Sequence, residues 1–352
     1  MPSSTTAPNS SSAVSDATPL ALTMGEPGGI GPDVTLQAWL HRDEAAVPPF
    51  VALACPHMLA DRARTLSVDV AMEEIGHPRQ ARACFSRALP VLPVPLDKGA
   101  KPGKLTPASA AATIASIEQA VELTRAGHTD AVVTNPIHKA ALYEAGFAHT
   151  GHTDFLEALA GQGARAVMML AVPGLRVVPV TVHLPLADVP GALTSKMITT
   201  TAHIVAHALK TDFAIPQPRL AVTGLNPHAG ESGALGREEI EIIEPALQQL
   251  KAEGLDVTGP YPADTAFHDE ARAAYDAALC MYHDQALIPL KTLNFFEGVN
   301  VTLGLPFVRT SPDHGTALDI AGTGKADPRS LIAALKTAAS IAQNRAARPA
   351  AA

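Results

Sequence analysis

The sequence predicts an α/β protein built around a largely parallel β-sheet. Three observations support this: short apolar runs, longer helical patterns between them, and Gly and Pro residues that separate the two. The apolar runs do not alternate with polar residues, which is typical of strands buried on both faces. Seven such runs occur, at residues 19–24, 50–55, 131–134, 167–172, 177–182, 219–224 and 277–282. We expect these to be strands of one sheet with helices on both sides.

Three helices carry start or stop signals. Pro32 stands at a first-turn position, and residues 106–125 begin with Thr-Pro and continue as a long Ala/Ile/Val pattern. Residues 237–254 have an acidic start and end in glycine, as helices often do. The Pro/Gly/Lys-rich segment 90–103 is expected to be a surface loop.

Composition excludes several classes of protein. The chain has 352 residues, of which 47% are hydrophobic, so it is large enough to form two domains. Its net charge is -8, with 26 Lys and Arg against 34 Asp and Glu, and no basic block stands out. We therefore expect no nucleic-acid partner.

The cysteines and the N-terminal segment bear on the compartment. Cys55, Cys84 and Cys280 are far apart and odd in number, which argues against a disulfide framework and for a reducing environment. Residues 1–18 lack the basic start and apolar core of a secretory signal, so we expect a disordered tail. No apolar run reaches the ~20 residues that span a bilayer. The expectation is a cytoplasmic protein without a membrane partner.

Three histidines form a candidate metal site. His183, His228 and His283 each follow an apolar run within a few residues, so one sheet could present all three at its carboxyl edge. Three neutral imidazoles suit Zn²⁺ or Co²⁺ with positions left open for substrate oxygens. The alternative is that each histidine simply bonds a backbone group. The pair His203 and His207 has i, i+4 spacing but no following glutamate, and we expect it to be surface-exposed or lightly packed.

Two basic residues predict an anion-binding site. Lys291 and Arg309 stand in apolar or Gly-rich surroundings, where a buried cation is costly unless an anion compensates it. A carboxylate or phosphate of the substrate is one partner; an internal salt bridge, to Asp264 or Asp313 for example, is the alternative. Asn300 lies between these two residues in the sequence, and His152 and Thr153 offer further neutral donors.

The glycine-rich segment 25–33, GEPGGIGPD, lies between a predicted strand and a predicted helix. It matches neither the dinucleotide fingerprint nor a P-loop. It either binds an anion at the helix N-terminus or forms a tight turn without a ligand.

The segment 314–328, HGTALDIAGTGKADP, resembles the nucleotide-binding loop of the isopropylmalate and isocitrate dehydrogenases. The resemblance implies two α/β/α domains around a mixed, largely parallel sheet. It also implies NAD as cofactor, because an aspartate at the place of Asp319 accepts hydrogen bonds from the ribose hydroxyls and repels the 2′-phosphate of NADP. The implied cofactor contacts are His314, Gly315, Thr316, Ala317, Asp319 and Asp327.

The chain from about residue 19 to 342 resembles the 4-hydroxythreonine-4-phosphate dehydrogenase family more closely still. The blocks MGEPGGIGPD, VVTNPIHK, GHTDF, VTVHLPL, GLNPHAGE, PADTAF, MYHDQALIPLK and GVNVTLGLPFVRTSPDHGTALDIAG occur in the order of that family. The resemblance implies a homodimer whose shared active site binds one divalent ion, Zn²⁺, Mg²⁺ or Co²⁺, through His183, His228 and His283. It implies substrate contacts from His152, Thr153, Lys291, Asn300 and Arg309.

The implied reaction oxidises the secondary alcohol of 4-phosphooxy-threonine to a 3-oxo acid, which loses carbon dioxide to give 3-amino-2-oxopropyl phosphate for pyridoxal phosphate biosynthesis. The proton acceptor is left open between a metal-bound water, Lys291 and Asp264. Alternatives are the same chemistry on phosphorylated threonate or erythronate or on a cyclohexadiene-diol dicarboxylate, a metal-dependent phosphohydrolase, and a non-catalytic metabolite-binding protein. We expect a first domain at 19–130 plus 300–345 with the nucleotide loop. A second domain at 131–299 would carry the metal ligands and most of the dimer interface.

Overall fold

The computed structural model describes residues 18–97, 99–144, 146–149 and 151–348. The expected tail therefore lies almost entirely outside the described residues, and so does Thr150 of the GHTDF region. The first strand begins at Leu20, close to the expected start.

Strands and helices alternate along most of the chain. The strands are β1 Leu20–Thr23, β2 Phe50–Ala54, β3 Met72–Glu74, β4 Leu89–Pro93, β5 Val132–Val133, β6 Val167–Val172, β7 Leu175–Pro179, β8 Arg219–Thr223, β9 Asp256–Tyr261, β10 Ala277–Cys280, β11 Val299–Leu303 and β12 Arg309–Pro312. The helices are α1 Gly31–Leu40, α2 Pro56–Leu66, α3 Ala81–Cys84, α4 Ala110–Arg125, α5 Lys139–Glu144, α6 His152–Ala160, α7 Val189–Ala192, α8 Ser195–Thr211, α9 Glu244–Ala252, α10 Asp269–Ala273, α11 His283–Leu293 and α12 Arg329–Ala346. Within the described residues, none of these helices combines the length and apolar character of a bilayer span.

One mixed sheet joins all of these strands, in the order β3-β4-β2-β1-β5-β12-β11-β6-β7-β10-β8-β9. The strands from β3 to β12 run parallel to one another, and so do those from β7 to β9. Between these halves, β11 is antiparallel to β12 and to β6, and β6 is antiparallel to β7. The two parallel halves therefore point in opposite directions, and the direction changes in the middle of the sheet.

All seven predicted strands are present, and β1, β2 and β10 are completely buried as their apolar runs predict. The prediction of a loop at 90–103 is wrong for its first residues, because these belong to β4. Pro90 precedes the first residue that pairs with β2, and Pro93 follows the last that pairs with β3. Each proline is therefore in register with one neighbouring strand only, where a missing N–H is tolerated.

The predicted helices form with one local change. Residues 239–243 make a π-helical turn before α9, and Pro245 lies in the first turn of α9, where its missing N–H is tolerated. The last helix, α12, packs on β12 and β11. Its buried residues Leu331, Leu335, Ala338 and Ile341 recur at helical spacing, so one face of the helix covers the strands that form the centre of the sheet.

The predicted division into two domains stays a prediction, because the sheet is continuous. The two parallel halves match its general plan. Strand β5, which starts just after the predicted boundary at residue 130, pairs with β1 and β12 and so lies in the first half.

Candidate active site

A cavity of about 480 Å³ lies over one face of the central strands β12, β11 and β6. Residues directly opposite each other in antiparallel strands point to the same face of the sheet. Two such rows lie here, Arg309–Thr302–Met168 and Ser311–Asn300–Leu170. The reversal of strand direction thus places polar side chains from β11 and β12 side by side beneath the cavity.

The walls of the cavity come from the ends of strands and the starts of helices. Thr134 follows β5, and Lys139 and His152 are the first residues of α5 and α6. His183 follows β7, and His283 begins α11. The cavity therefore lies between the two oppositely directed halves of the sheet and collects side chains from both.

Arg309 is a buried cation without an acidic partner among the described residues. It is 3% exposed, and its guanidinium donates to Thr302 Oγ1 at 2.8 Å and to Thr134 Oγ1 at 2.6 Å. Its Nε has no hydrogen-bond partner, and burial lowers the pKa of Arg309 to about 10. A buried charge held only by hydroxyl groups is costly unless a ligand anion completes its coordination. Arg309 thus has the burial and the missing counter-ion on which the predicted anion site depends, and the site itself stays a prediction.

Unpartnered polar atoms concentrate around the same cavity. Among the described side chains, buried atoms without a partner that line it are His152 Nε2, Asn300 Oδ1, Arg309 Nε and His314 Nε2. Burial, together with the charges of Arg309 and Lys139, holds the pKa of His152 well below its usual value. His152 is therefore neutral near pH 7 and offers one donor or one acceptor at Nε2. Since buried polar groups are normally satisfied, these atoms indicate a polar ligand.

Lys291 forms an internal salt bridge, which was the alternative to an anion site. Its Nζ lies 2.9 Å from Asp313 Oδ2 and also donates to the Asp313 carbonyl oxygen at 3.3 Å. The internal salt bridge considered for both cations thus exists for Lys291 and not for Arg309. Lys291 still lines the cavity, so it can contact a ligand without losing this pair.

His183 and His283 form a pair at the edge of the cavity, with ring centroids 5.7 Å apart. Burial lowers the pKa of His183, and the charge of Lys139 and the nearby His283 lower it further. His283 Nδ1 lies 2.7 Å from Asp284 Oδ1, an interaction that fixes the ring and leaves Nε2 available. Two imidazoles this close fit two ligands of one divalent ion.

His228 does not join this pair within the chain. It follows β8, and β10 separates β8 from β7 in the sheet, so the three histidines share one edge as predicted. However, the side chain of His228 is 68% exposed and does not line the cavity. Among the described residues no three His, Cys, Asp or Glu side chains cluster closely enough to hold a metal.

The segment that carries His228 has an unusual backbone. Five successive residues, 228–232, have left-handed φ values: 53° at His228, 50° at Ala229, 81° at Gly230, 45° at Glu231 and 55° at Ser232. For residues other than glycine this conformation costs roughly 1–2 kcal/mol each. Such strain persists where the surrounding structure enforces it, often at functional sites.

Comparison with known proteins identifies the family of this chain. The model of the family described as pyridoxal phosphate biosynthetic protein PdxA matches residues 46–338. A 4-hydroxythreonine-4-phosphate dehydrogenase of Bradyrhizobium diazoefficiens is 54% identical over 337 residues, covering 93% of this chain and 97% of the relative.

The chain belongs to the PdxA family. The crystal structure of the Klebsiella pneumoniae 4-hydroxythreonine-4-phosphate dehydrogenase matches with a TM-score of 0.83 at 37% identity, covering 93% of this chain and 99% of that one. A terephthalate 1,2-cis-dihydrodiol dehydrogenase from Burkholderia xenovorans matches with a TM-score of 0.61 at 28% identity, covering 92% of this chain and 98% of that one. The predicted fold class and family are thereby confirmed, and with them a dehydrogenase assignment.

The predicted cofactor residues of this PdxA-family chain follow β12 as a loop over the glycine-rich segment. Ile30 N donates to Thr316 O at 2.9 Å, and Gly322 N donates to Asp33 Oδ1 at 2.7 Å. His314 and Gly315 line the cavity, whereas Thr316, Ala317 and Asp319 lie beyond it. Asp327 is held by the guanidinium of Arg329, with Nε to Oδ2 at 2.9 Å, so its carboxylate already has a partner.

The glycine-rich segment owes its composition to close packing. A Cβ at Gly28 would lie 2.1 Å from Lys104 O, and one at Gly29 would lie 2.8 Å from Thr316 O. Behind this segment, Arg62 forms a buried ion pair with Asp33 and donates to Gly29 O at 2.7 Å. These contacts account for Gly28 and Gly29 as residues of a tight turn.

Two other residues considered in the sequence analysis lie outside the cavity. Asp264 is exposed and lines a different hollow, next to the opposite side of α11, so its catalytic role within this chain's cavity stays a prediction. His203, by contrast, pairs with Glu253 at 2.6 Å on the surface, as expected of a residue outside the site.

Sequence reasoning missed Lys139 and Thr134. Lys139 lines the cavity, and a Cβ at Gly151 would lie 3.3 Å from its Nζ, so its charge lies at the start of α6. Both residues belong to the block VVTNPIHK, which begins with the two valines of β5 and continues beyond the end of the strand. Polar residues at the end of a buried strand are the signal that could have identified them.

Proposed function

We propose that this chain is a 4-hydroxythreonine-4-phosphate dehydrogenase that uses NAD and one divalent metal ion. The substrate, 4-phosphooxy-L-threonine, loses a hydride from the carbon that carries its hydroxyl and a proton from that hydroxyl. The resulting 2-amino-3-oxo-4-phosphooxybutanoate loses carbon dioxide to give 3-amino-2-oxopropyl phosphate. The observation that carries this proposal is Arg309, a buried cation without an acidic partner among the described residues, in the same cavity as the His183–His283 pair.

The substrate has two anionic groups, and the cavity has the charge to receive them. Among the described residues, its cations are Lys139, Lys291 and Arg309, and its acids are Asp154 and Asp313. Only Lys291 is paired with an acid of the cavity, Asp313. Arg309 and Lys139 would hold the phosphate and carboxylate, with His152, Thr153 and Asn300 as neutral partners. Fixing both ends of a four-carbon chain orients the central carbon that is oxidised.

The paired histidines, with His228 as the third ligand, would hold the metal, which supplies a Lewis acid that favours loss of the hydroxyl proton and polarises the new ketone. The low pKa of His183 keeps its ring neutral, as a ligand requires. For the proton acceptor, Lys291 and Asp264 stay candidates together with water. Lys291, ion-paired with Asp313, would have to lose its own proton before it could accept that of the substrate. Asp264 lines a different hollow of its own chain and would act as base in another subunit's cavity.

The loop after β12 would hold NAD, the hydride acceptor. His314 has a buried Nε2 without a partner, and burial lowers its pKa, so it is a neutral group available to the cofactor. Asp319 is exposed and would accept hydrogen bonds from the ribose hydroxyls of NAD. Its charge would repel the 2′-phosphate of NADP, which favours NAD.

We also propose a homodimer with a shared active site. Exposed large apolar side chains among the described residues concentrate between residues 182 and 296, and include Leu186 at 68%, Ile288 at 65% and Phe295 at 64% exposure. This is the half of the chain that carries the metal histidines. Exposed apolar side chains that form a patch are typical of an association surface, and we propose that these side chains form one. A second subunit on this surface could complete the ligand set that His228 does not complete within one chain.

The test is a substrate panel with NAD and Co²⁺, measuring NADH absorbance and released phosphate. We expect NADH from 4-phosphooxy-L-threonine at a kcat/KM at least about tenfold above that for phosphorylated threonate or erythronate. A preference for a sugar acid would keep the chemistry and replace the substrate. Phosphate release without NADH would replace the dehydrogenase by a phosphohydrolase.

A further inference from the structure

The left-handed turn that carries His228 packs against one buried carboxylate. Glu239 is 1% exposed and lies in the π-helical turn before α9. Its Oε1 accepts from Leu225 N and Asn226 N, both at 2.8 Å, and its Oε2 accepts from Asn226 Nδ2 at 3.0 Å. Glu239 thus fixes the residues between β8 and the turn.

The turn is also shaped around this carboxylate. A Cβ at Gly230 would lie 2.5 Å from Glu239 Oε2, and one at Gly224 would lie 3.0 Å from Glu239 Oε1. Glycine at both ends allows the backbone to approach the buried acid. Ala229 N donates to Asn226 O at 3.1 Å, so the contact at Asn226 continues into the residue that follows His228.

We propose that Glu239 is a positioning residue for the metal site: its carboxylate holds the strained turn 227–233 in the one conformation that presents His228 as a ligand. The proposal rests on the metal role of His228 in the proposed function. Glu239 touches neither metal nor substrate. Without its carboxylate, the left-handed residues would relax to ordinary φ values and carry the imidazole away.

The adjacent Glu238 provides a matched control. Its Oε2 accepts from the same Asn226 Nδ2 at 2.7 Å, but Glu238 makes no contact with the backbone of Leu225 or Asn226. Glu239→Gln leaves an oxygen for the two backbone N–H groups and turns an NH₂ group toward Asn226. If the side-chain amide of Asn226 flips so that its oxygen accepts from this NH₂ group, that oxygen also lies next to the carboxylate of Glu238, which then loses its donor. Glu239→Gln therefore disturbs the turn, whereas Glu238→Gln does not.

The experiment titrates Co²⁺ into the metal-depleted full-length protein and follows binding by calorimetry, for wild type, E239Q, E238Q and H228A. We expect the Kd of E239Q to rise at least about tenfold, as for other residues that orient metal ligands, and that of E238Q to stay within about twofold. Amide exchange at Leu225 and Asn226 should accelerate in E239Q alone. A merely structural role would lower the Tm of E239Q and leave its Kd unchanged.

Each other outcome contradicts a specific statement. If H228A binds Co²⁺ more weakly than wild type and folded E239Q binds as wild type does, the positioning role is wrong and the metal site stands. If H228A binds as wild type does, the metal role of His228 is wrong and the positioning role with it. If E239Q does not fold, Gly230→Ala decides, because its Cβ would lie 2.5 Å from Glu239 Oε2 and so pushes the turn away from the carboxylate without removing the acid. Wild-type affinity in G230A would overturn the proposal.

Discussion

At the scale of single residues, two buried arginines show how the site differs from the scaffold. Arg62 has a full complement of partners: Asp33, Gly29 O and Pro27 O. Arg309 has two hydroxyl groups and an unpartnered Nε. The first arginine therefore has the contacts of a structural residue, and we propose that a ligand anion completes the contacts of the second.

Arg309→Met should abolish substrate binding at little cost in stability. Replacing a buried charge that has no counter-ion by an apolar side chain is often neutral or stabilising. We expect kcat/KM to fall at least about 100-fold, the loss of a charged contact of about 3 kcal/mol, with the free energy of unfolding changed by less than about 1 kcal/mol. Steady-state kinetics and urea unfolding measure the two effects.

Arg62→Met is the control for this prediction. It leaves Asp33 buried without its cation, which should lower the free energy of unfolding by about 3–5 kcal/mol. If Arg309→Met destabilises the protein as much as Arg62→Met, Arg309 has a structural role and the anion site is wrong.

The lowered pKa of His152 predicts a pH dependence of stability. The unfolded state takes up a proton near the ordinary pKa of 6.5, whereas the folded state resists it because of burial, Arg309 and Lys139. The contribution is complete above pH 6.5 and is lost as the pH falls through the folded pKa, at up to about 1.4 kcal/mol per pH unit. Urea unfolding at pH 7.5, 6.0 and 5.0 should show this loss, and His152→Gln should reduce its slope. An unchanged slope in His152→Gln would contradict the buried, neutral assignment.

At the scale of elements, the glycine-rich turn before α1 determines where the predicted cofactor loop lies. Gly28→Ala would bring a Cβ within 2.1 Å of Lys104 O, a backbone atom that moves only with its loop. We expect the free energy of unfolding to fall by about 1–3 kcal/mol and the Kd for NAD to rise. Gly99→Ala is the control, since nothing lies within 4 Å of its added Cβ. Equal effects of both variants would show that the turn is not tightly packed.

The sequence was sufficient for the elements that apolar burial specifies. All seven apolar runs are strands, since a short apolar run between turn residues is typical of a strand covered on both faces. Among the described residues, the five strands that were missed carry weaker signals: β3 is short and acidic, β4 contains two prolines, and β9, β11 and β12 have the mixed sequences DVTGPY, VNVTL and RTSP. Their pairing depends on neighbours that are distant in the chain.

The candidate site was predictable in its residue types and not in its pairings. Strand-end position identified His183 and His283. Basic residues in apolar or Gly-rich surroundings identified Lys291 and Arg309, with Asn300 between them, and all five residues line one cavity. That Asp313 pairs with Lys291 rather than with Arg309 depends on the register of β11 and β12, which places Thr302 opposite Arg309. The left-handed turn at His228 leaves no sequence signal beyond its glycines, because the tertiary contacts of Glu239 enforce it.

At the scale of the whole molecule, activity should depend on association. If a second subunit completes the ligand set around His183 and His283, dilution below the dimer dissociation constant should release metal and abolish turnover together. Mass photometry and NADH formation on one dilution series would measure both. A monomer with full activity per subunit would contradict the shared site.

The most direct test of the dehydrogenase assignment is the initial rate of NADH formation from 4-phosphooxy-L-threonine by the wild-type protein, before and after chelation. We predict turnover that disappears after dialysis against a chelator and returns when Zn²⁺, Mg²⁺ or Co²⁺ is added back. A folded protein that forms no NADH from this substrate with any of the three ions would contradict it.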